Sequence, residues 1–363
     1  MRETITENQI SRARYLSIDL VKAITIFLVV LGHSIQYFHG SEYDYWGNWI
    51  FKWIYGFHMP LFALASGFLY SKSRKTGFVV GVSKKAKQLL LPVISWAFVL
   101  SICDLLLYII ANKTKDISVF LLNRFMSRCV HDLWFLKGVF LCCLIVMFVE
   151  ITTGKPFYKN AFLVIIALST MFWPKVYEFH LYGFLVPYYF IGYAAGGAKI
   201  FAIPHYKGKV LFVWLSAIIY LLLLIPYQKH HYIYTSGLSI IDSSHGVQGQ
   251  IENDLLRFVV GIVGCIMIIA CCCMIQSKVC PKMVDWVTKT SSSTLSIYVM
   301  TTPLFIYLPK IAQKMNIDVL GQIHDYIVDI VFLLPLSLIL VAICVWISKK
   351  LSGKKISMFF FGR

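Results

Sequence analysis

The chain has 363 residues, of which 58% are hydrophobic and only 14% charged, and its mean hydropathy is +0.72. A soluble domain carries roughly 25% charged residues, so this composition excludes an ordinary water-facing surface. The formal net charge of +17 does not indicate nucleic acid, because the basic residues sit in short segments between apolar runs and form no patch with interleaved aromatics.

The apolar runs are about 20 residues long, the length an α-helix needs to cross a hydrocarbon core roughly 30 Å thick. They lack the strict alternation of barrel strands, so the expected fold class is all-α integral membrane. In chain order they predict about ten transmembrane helices, at 17–38, 50–70, 88–111, 133–151, 160–173, 182–198, 209–226, 254–275, 291–309 and 326–347. The first run is too long for a cleaved leader and lacks an A-x-A site, so it is expected to remain as the first helix.

Lysines such as Lys84, Lys85, Lys87, Lys349, Lys350, Lys354 and Lys355 gather on one side, which by the positive-inside rule is the cytoplasm. Both termini are then expected to be cytoplasmic, with 1–16 as an N-terminal segment and 348–363 as a basic tail. The whole of 1–363 reads as a single membrane domain. The longest outer loops, 112–132 and 227–253, read as solvated connections, although the second is rich enough in His, Tyr, Ser and Gly to contact a polar ligand. No internal repeat supports an inverted-repeat transporter. The ten cysteines show no C-x-x-C and no ligand spacing with histidine, so neither a metal site nor a bound cofactor is expected.

Ionisable groups inside a membrane suggest function by default, because burying charge in hydrocarbon costs a few kcal/mol even on lenient scales. The first helix carries Asp19, Lys22 and His33. Lys22 and His33 are eleven residues apart, which places them on one face within about 20° and separated by about 16 Å along the axis. Asp19 and Lys22 are also spaced to pair with each other at i,i+3. In the second helix, His58 is expected at a depth similar to His33, so that both imidazoles face one cavity. Imidazole suits proton transfer near neutral pH. Further candidates are Arg14 near the inner surface, Trp134 at the start of the fourth helix, and Arg257, which is also spaced to pair with Asp254. Glu150 is expected to face water, and Tyr188, Tyr189 and Tyr193 to line a cavity or form a belt at a helix end. Ser66-Gly67 reads as a close helix contact rather than a nucleophile.

A basic residue, ten residues and a histidine (Lys22, AITIFLVVLG, His33), followed by FHMPLFALASGFL, resemble the opening of the membrane-bound acyltransferase 3 family, especially its fucose 4-O-acetylase-like branch. DLWFLKGVFL (132–141), VPYYFIGYAAG (186–196) and TLSIYVMTTPLF (294–305) extend the similarity in family order. Thr301 stands where the late motif often ends in histidine. The resemblance implies an O-acyltransferase, most simply an O-acetyltransferase, in a bacterial cell membrane. It implies acetyl-CoA or another acyl-CoA as cytoplasmic co-substrate, and a cell-envelope glycan or lipid-linked sugar as acceptor. It makes His33 the catalytic base or acyl carrier, with Lys22 as its partner; His58 is then a third catalytic candidate, and Arg14, Asp19, Arg257 and Trp134 are candidates for substrate binding. A polysaccharide exporter or flippase is the competing expectation.

Overall fold

The computed structural model describes residues 7–38, 44–73, 76–111, 116–154, 156–196, 209–241, 246–314 and 326–362, with the side chains of 7–15, 209 and 309–314 excepted. No strand occurs among them. The helices are α1 (Glu7–Phe38), α2 (Trp49–Tyr55), α3 (His58–Lys72), α4 (Phe78–Ile110), α5 (Ile117–His131), α6 (Trp134–Thr152), α7 (Pro156–Ser169) and α8 (Phe179–Ala195). They continue with α9 (Lys209–Leu224), α10 (Ile233–Ser236), α11 (Gly246–Ile275), α12 (Pro281–Ser292), α13 (Thr294–Lys314), α14 (Tyr326–Val328), α15 (Leu334–Leu351) and α16 (Lys355–Phe361).

Five stretches of helix among the described residues are long and apolar enough to cross a bilayer: Leu16–Phe38, Phe78–Ile110, Trp134–Thr152, Gly246–Lys278 and Tyr326–Leu351. The protein is thus a multi-pass membrane protein. The apolar window of α1 is 72% buried, against 28% for α4 and for the Tyr326–Leu351 stretch. α1 is therefore the central post, packed by α3, α11, α12, α13 and α15, while α4 and α15 turn much of their apolar surface outward.

Several expectations need correction. The run predicted as one helix at 50–70 is two, broken at Gly56-Phe57, where Phe57 leaves helical geometry at φ −138°, ψ −16°. Pro60 falls in the first turn of α3, where a missing N–H costs nothing. The loop predicted at 112–132 contains α5, which charges at Arg124 and Arg128 had made look solvated. Arg128 is buried, bonding Asp104 on α4 and Asp132 at 2.7 Å each. The basic tail contains α16, held by a hydrogen bond of 3.0 Å from Trp96 Nε1 to the Phe360 carbonyl. Lys84, Lys85 and Lys87 lie on α4, which starts well before the predicted 88.

The tightest helix contact is between α3 and α8. A Cβ on Gly67 would lie 2.0 Å from the Tyr189 carbonyl oxygen, and one on Gly192 would lie 1.9 Å from that of Leu64. Small residues let backbones approach within a membrane, where packing replaces the hydrophobic effect as the force between helices. Ser66-Gly67 thus belongs to a close helix contact, as expected. Gly192→Ala is expected to destabilise the protein in detergent by about 1–3 kcal/mol or more. Gly154→Ala, where no atom lies within 4 Å of the added carbon, is the neutral control for the same thermal unfolding measurement.

Candidate active site

The break between α2 and α3 creates the site's geometry. Non-helical backbone at membrane depth survives only if its polar groups find partners inside the protein. Tyr220 on α9 donates its hydroxyl proton to the Trp53 carbonyl at 2.6 Å, and the His58 ring donates through Nδ1 to the Ile54 carbonyl at 3.0 Å. With these carbonyls satisfied, Tyr55 is free to turn toward α1.

His33 lines a cavity of about 410 Å³ toward the end of the bundle where α1 terminates at Phe38, termed the outer end. Its walls include Gln36, Tyr37, Tyr45, Trp46 and Tyr55, then Asp132, Trp134 and Glu178, then Tyr234, Tyr298, Thr301 and Phe305. The size falls in the range usual for small-molecule sites. Two junctions in its wall hold non-glycine residues in left-handed backbone, Leu133 at φ 48° and Tyr177-Glu178 at φ 50° and 64°. Such strain costs of order 1–3 kcal/mol per residue and clusters where function requires a placement.

The hydrogen bonds around His33 select one tautomer. Tyr55 Oη donates its proton to Gln36 Oε1 at 2.9 Å. Toward His33 Nδ1, at 3.2 Å, the Tyr55 oxygen can therefore only accept, and Gln36 Oε1, at 3.3 Å from the same nitrogen, is an acceptor too. Nδ1 must carry the ring proton. Nε2 then holds the free lone pair, the form a general base needs. The ring is held in place by Phe305 at 5.5 Å and Tyr37 at 6.0 Å between centroids.

A second cavity, of about 160 Å³, lies inward and is lined by Lys22, Ile26, Val29, Phe62, Ser66, Gln88, Phe135, Leu295 and Tyr298 among others. Lys85 Nζ donates to Gln88 Oε1 at 3.3 Å, and Lys84 and Lys85 also line a shallow pocket beside it with Tyr70 and Glu150. Lys22 and His33 thus do share the functional face of α1, but they serve two neighbouring cavities and not one.

The other candidates divide. His58 is buried and in ring contact with Tyr55 at 4.5 Å, yet it does not line the His33 cavity; it serves the helix break instead. Trp134 does line that cavity, against Tyr234 at 6.1 Å. Asp19 accepts a hydrogen bond from Ser291 on α12, and no ion pair joins it to Lys22 among the described residues. The side chain of Arg14 lies outside the described residues.

Arg257 is engaged within the protein. It bonds Asp254 at 2.7 Å, Ser236 Oγ at 2.6 Å, and the His231 and Gly237 carbonyls at 2.7 and 2.8 Å, so its donors clamp the outer strap of residues 229–237. In that strap, burial and the neighbouring His230 push the His231 imidazole down to about 4. Its unprotonated Nδ1 accepts from the Gln228 amide at 2.8 Å. Glu150 accepts from Tyr193 and Tyr70 and is not simply facing water. Tyr188, Tyr189 and Tyr193 are buried among the helices and do not line the His33 cavity. The sequence reading missed Gln36, Tyr55 and Tyr298. Gln36 follows His33 by one helical turn and was within reach of the spacing argument. Tyr55 was not, since its placement depends on the helix break.

A family model described as an acyltransferase domain matches residues 15–349, and the chain belongs to this family, acyltransferase 3, whose members transfer acyl groups other than aminoacyl groups. Among curated proteins, nodulation protein NolL of Mesorhizobium japonicum is 45% identical over 86 residues, 23% of each chain. NolL of Sinorhizobium fredii is 36% identical over 128 residues, 35% of this chain and 34% of that one. The aligned stretches thus span about a quarter to a third of these relatives. No solved structure matches the chain.

Removing both acceptors from Nδ1, as Gln36→Leu with Tyr55→Phe, is expected to lower acyl transfer by about 10–100-fold, within the range general-base catalysis contributes. Tyr55→Phe alone leaves the Gln36 acceptor and should lose less. Steady-state kcat in purified protein reads both, and equal losses in the single and double variants would contradict the tautomer assignment. Arg257→Gln removes the ion-pair partner of Asp254, leaving it the Gln250 amide at 3.0 Å, and is expected to lower the unfolding temperature while KM for either substrate stays unchanged.

Proposed function

We propose that the protein is an O-acyltransferase, most simply an O-acetyltransferase, that takes an acyl group from cytoplasmic acyl-CoA and places it on a hydroxyl of a cell-envelope glycan or lipid-linked sugar. The observation that carries this reading is the pair of cavities end to end along α1, with a base in the outer one and lysines at the inner one. Lys22, Lys84 and Lys85 supply positive charge for the donor's phosphates. Trp46, Trp134 and several tyrosines offer faces to sugar rings, and Gln36, Asp132 and Glu178 offer acceptors for hydroxyls.

In this reading the acceptor's hydroxyl proton passes to His33 Nε2 as its oxygen attacks the thioester carbon. The new O–C bond forms, the C–S bond breaks, and the imidazolium returns the proton to the departing thiolate. Attack by Nε2 itself, with the acyl group carried on the ring before the alcohol takes it, uses the same atoms. The membrane is the cytoplasmic membrane of a bacterium, in line with the bacterial origin of the NolL relatives. The chain crosses it ten times with both ends inside, a reading that takes the α2–α3 pair and α8 as crossings in addition to the five long helices and the shorter apolar helices Pro156–Phe172, Val210–Leu224 and Thr294–Leu308. Export of a polymer is the competing reading.

Mass spectrometry of envelope glycans from cells carrying wild-type protein or His33→Ala tests the reaction class. The expected result is surface polymer of normal amount that lacks an ester. Polymer retained inside the cell would point to export, and an unchanged ester would remove His33 from the chemistry.

A further inference from the structure

Among the described residues that line the inner and outer cavities, Tyr298 alone lines both. The stripe of α13 that carries it reads as a line across the boundary. Thr294 and Leu295 face the inner cavity, Tyr298 stands between, and Thr301, Thr302 and Phe305 face the outer one, at the i+3, i+4 and i+7 spacing of a single helix face. α1 repeats the pattern from the other side, with Lys22, Ile26 and Val29 inward and His33, Gln36 and Tyr37 outward. The Tyr298 ring is braced edge-on by Phe135, which lines the inner cavity, at 6.1 Å. Tyr298 thus stands at the boundary of the two spaces, its ring against Phe135 and its hydroxyl hydrogen-bonded to the Phe135 backbone.

We propose that Tyr298 is a specificity-determining partition, whose ring keeps outer water from the thioester and turns aside to admit the acyl group to His33. The inference rests on the O-acyltransferase reading. The chemical need is plain: a base that activates a sugar hydroxyl activates water equally well. Attack by water would form an O–C bond, break the C–S bond and release a carboxylate and the free thiol, with the same proton path and no glycan ester. Excluding water until the acceptor is seated is the remedy available to a site with such a base. An aromatic ring suits the task, because it seals by area and swings on two torsions.

The test compares Tyr298→Ala and Tyr298→Phe with wild type in purified protein supplied with acetyl-CoA. Thiol release without acceptor measures hydrolysis, and ester formation on an acceptor oligosaccharide measures transfer. Tyr298→Ala should raise the ratio of hydrolysis to transfer at least about tenfold, whereas Tyr298→Phe, which keeps the ring, should leave it unchanged. An unchanged ratio in Tyr298→Ala overturns the proposal. A second readout does not depend on turnover. In proteoliposomes carrying Ser66→Cys, a membrane-impermeant maleimide is applied from the outer face, and mass spectrometry follows the peptide containing position 66. Labelling should appear when Tyr298→Ala is added and be absent with the native tyrosine; equal labelling in both, or none in either, contradicts a partition. If wild type forms no ester while labelling responds to the tyrosine, the O-acyltransferase reading fails and the partition stands. If ester forms normally and neither readout responds, the partition alone fails.

Discussion

The His33 site depends on how the protein satisfies the backbone of a helix broken inside its bundle. A carbonyl left without a partner in hydrocarbon costs several kcal/mol, so the interruption at Gly56-Phe57 requires donors from elsewhere in the bundle. Tyr220 and His58 supply them, and both are buried. The break in turn sets the direction of Tyr55, whose hydroxyl meets Gln36 and His33. His58 thus bonds to backbone at the break, and a tyrosine with no motif of its own meets the His33 ring. Gly32 and Gly56 fit the same logic, since a Cβ at either would strike Tyr55 or Tyr220.

The membrane class and the shared face of Lys22 and His33 were legible in the sequence, whereas the central position of the first helix was not. The first two depend on length, hydropathy or helical period, which are local properties of the chain. What stayed illegible depends on distant partners. Arg128 looked like a loop charge because its partner Asp104 lies 24 residues away on another helix. Arg257 resembled a ligand group, but its donors are consumed by carbonyls of a strap whose path no periodicity encodes. Thr301 shows the same limit from the family side. It bonds back to the Ile297 carbonyl at 2.9 Å and lines the His33 cavity, so the outer site has a small hydroxyl where relatives often place a second imidazole.

The two cavities give the shared face of α1 a meaning that spacing alone could not. Eleven residues span about 16 Å of helix, roughly half of the hydrocarbon thickness. In the proposed reading, a donor bound from the lysine-bearing side has to extend only to the middle of the membrane, and an acceptor has only to enter from the opposite side. The large apolar groove formed by α7, α8 and α11 lies apart from this axis, with Leu163, Phe184 and Leu255 in its walls. The Arg257–Asp254 ion pair also lines this groove.

The most direct measurement is an experimental structure with a non-hydrolysable thioether analogue of acetyl-CoA bound. The arrangement along α1 predicts phosphates beside Lys22 and Lys85, and an acyl carbon that has passed Tyr298 to lie about 3–3.5 Å from His33 Nε2 or from an oxygen held by it. An analogue seated in the lateral groove by α8 and α11, or a His33 ring turned to lipid with the outer cavity closed, would contradict it.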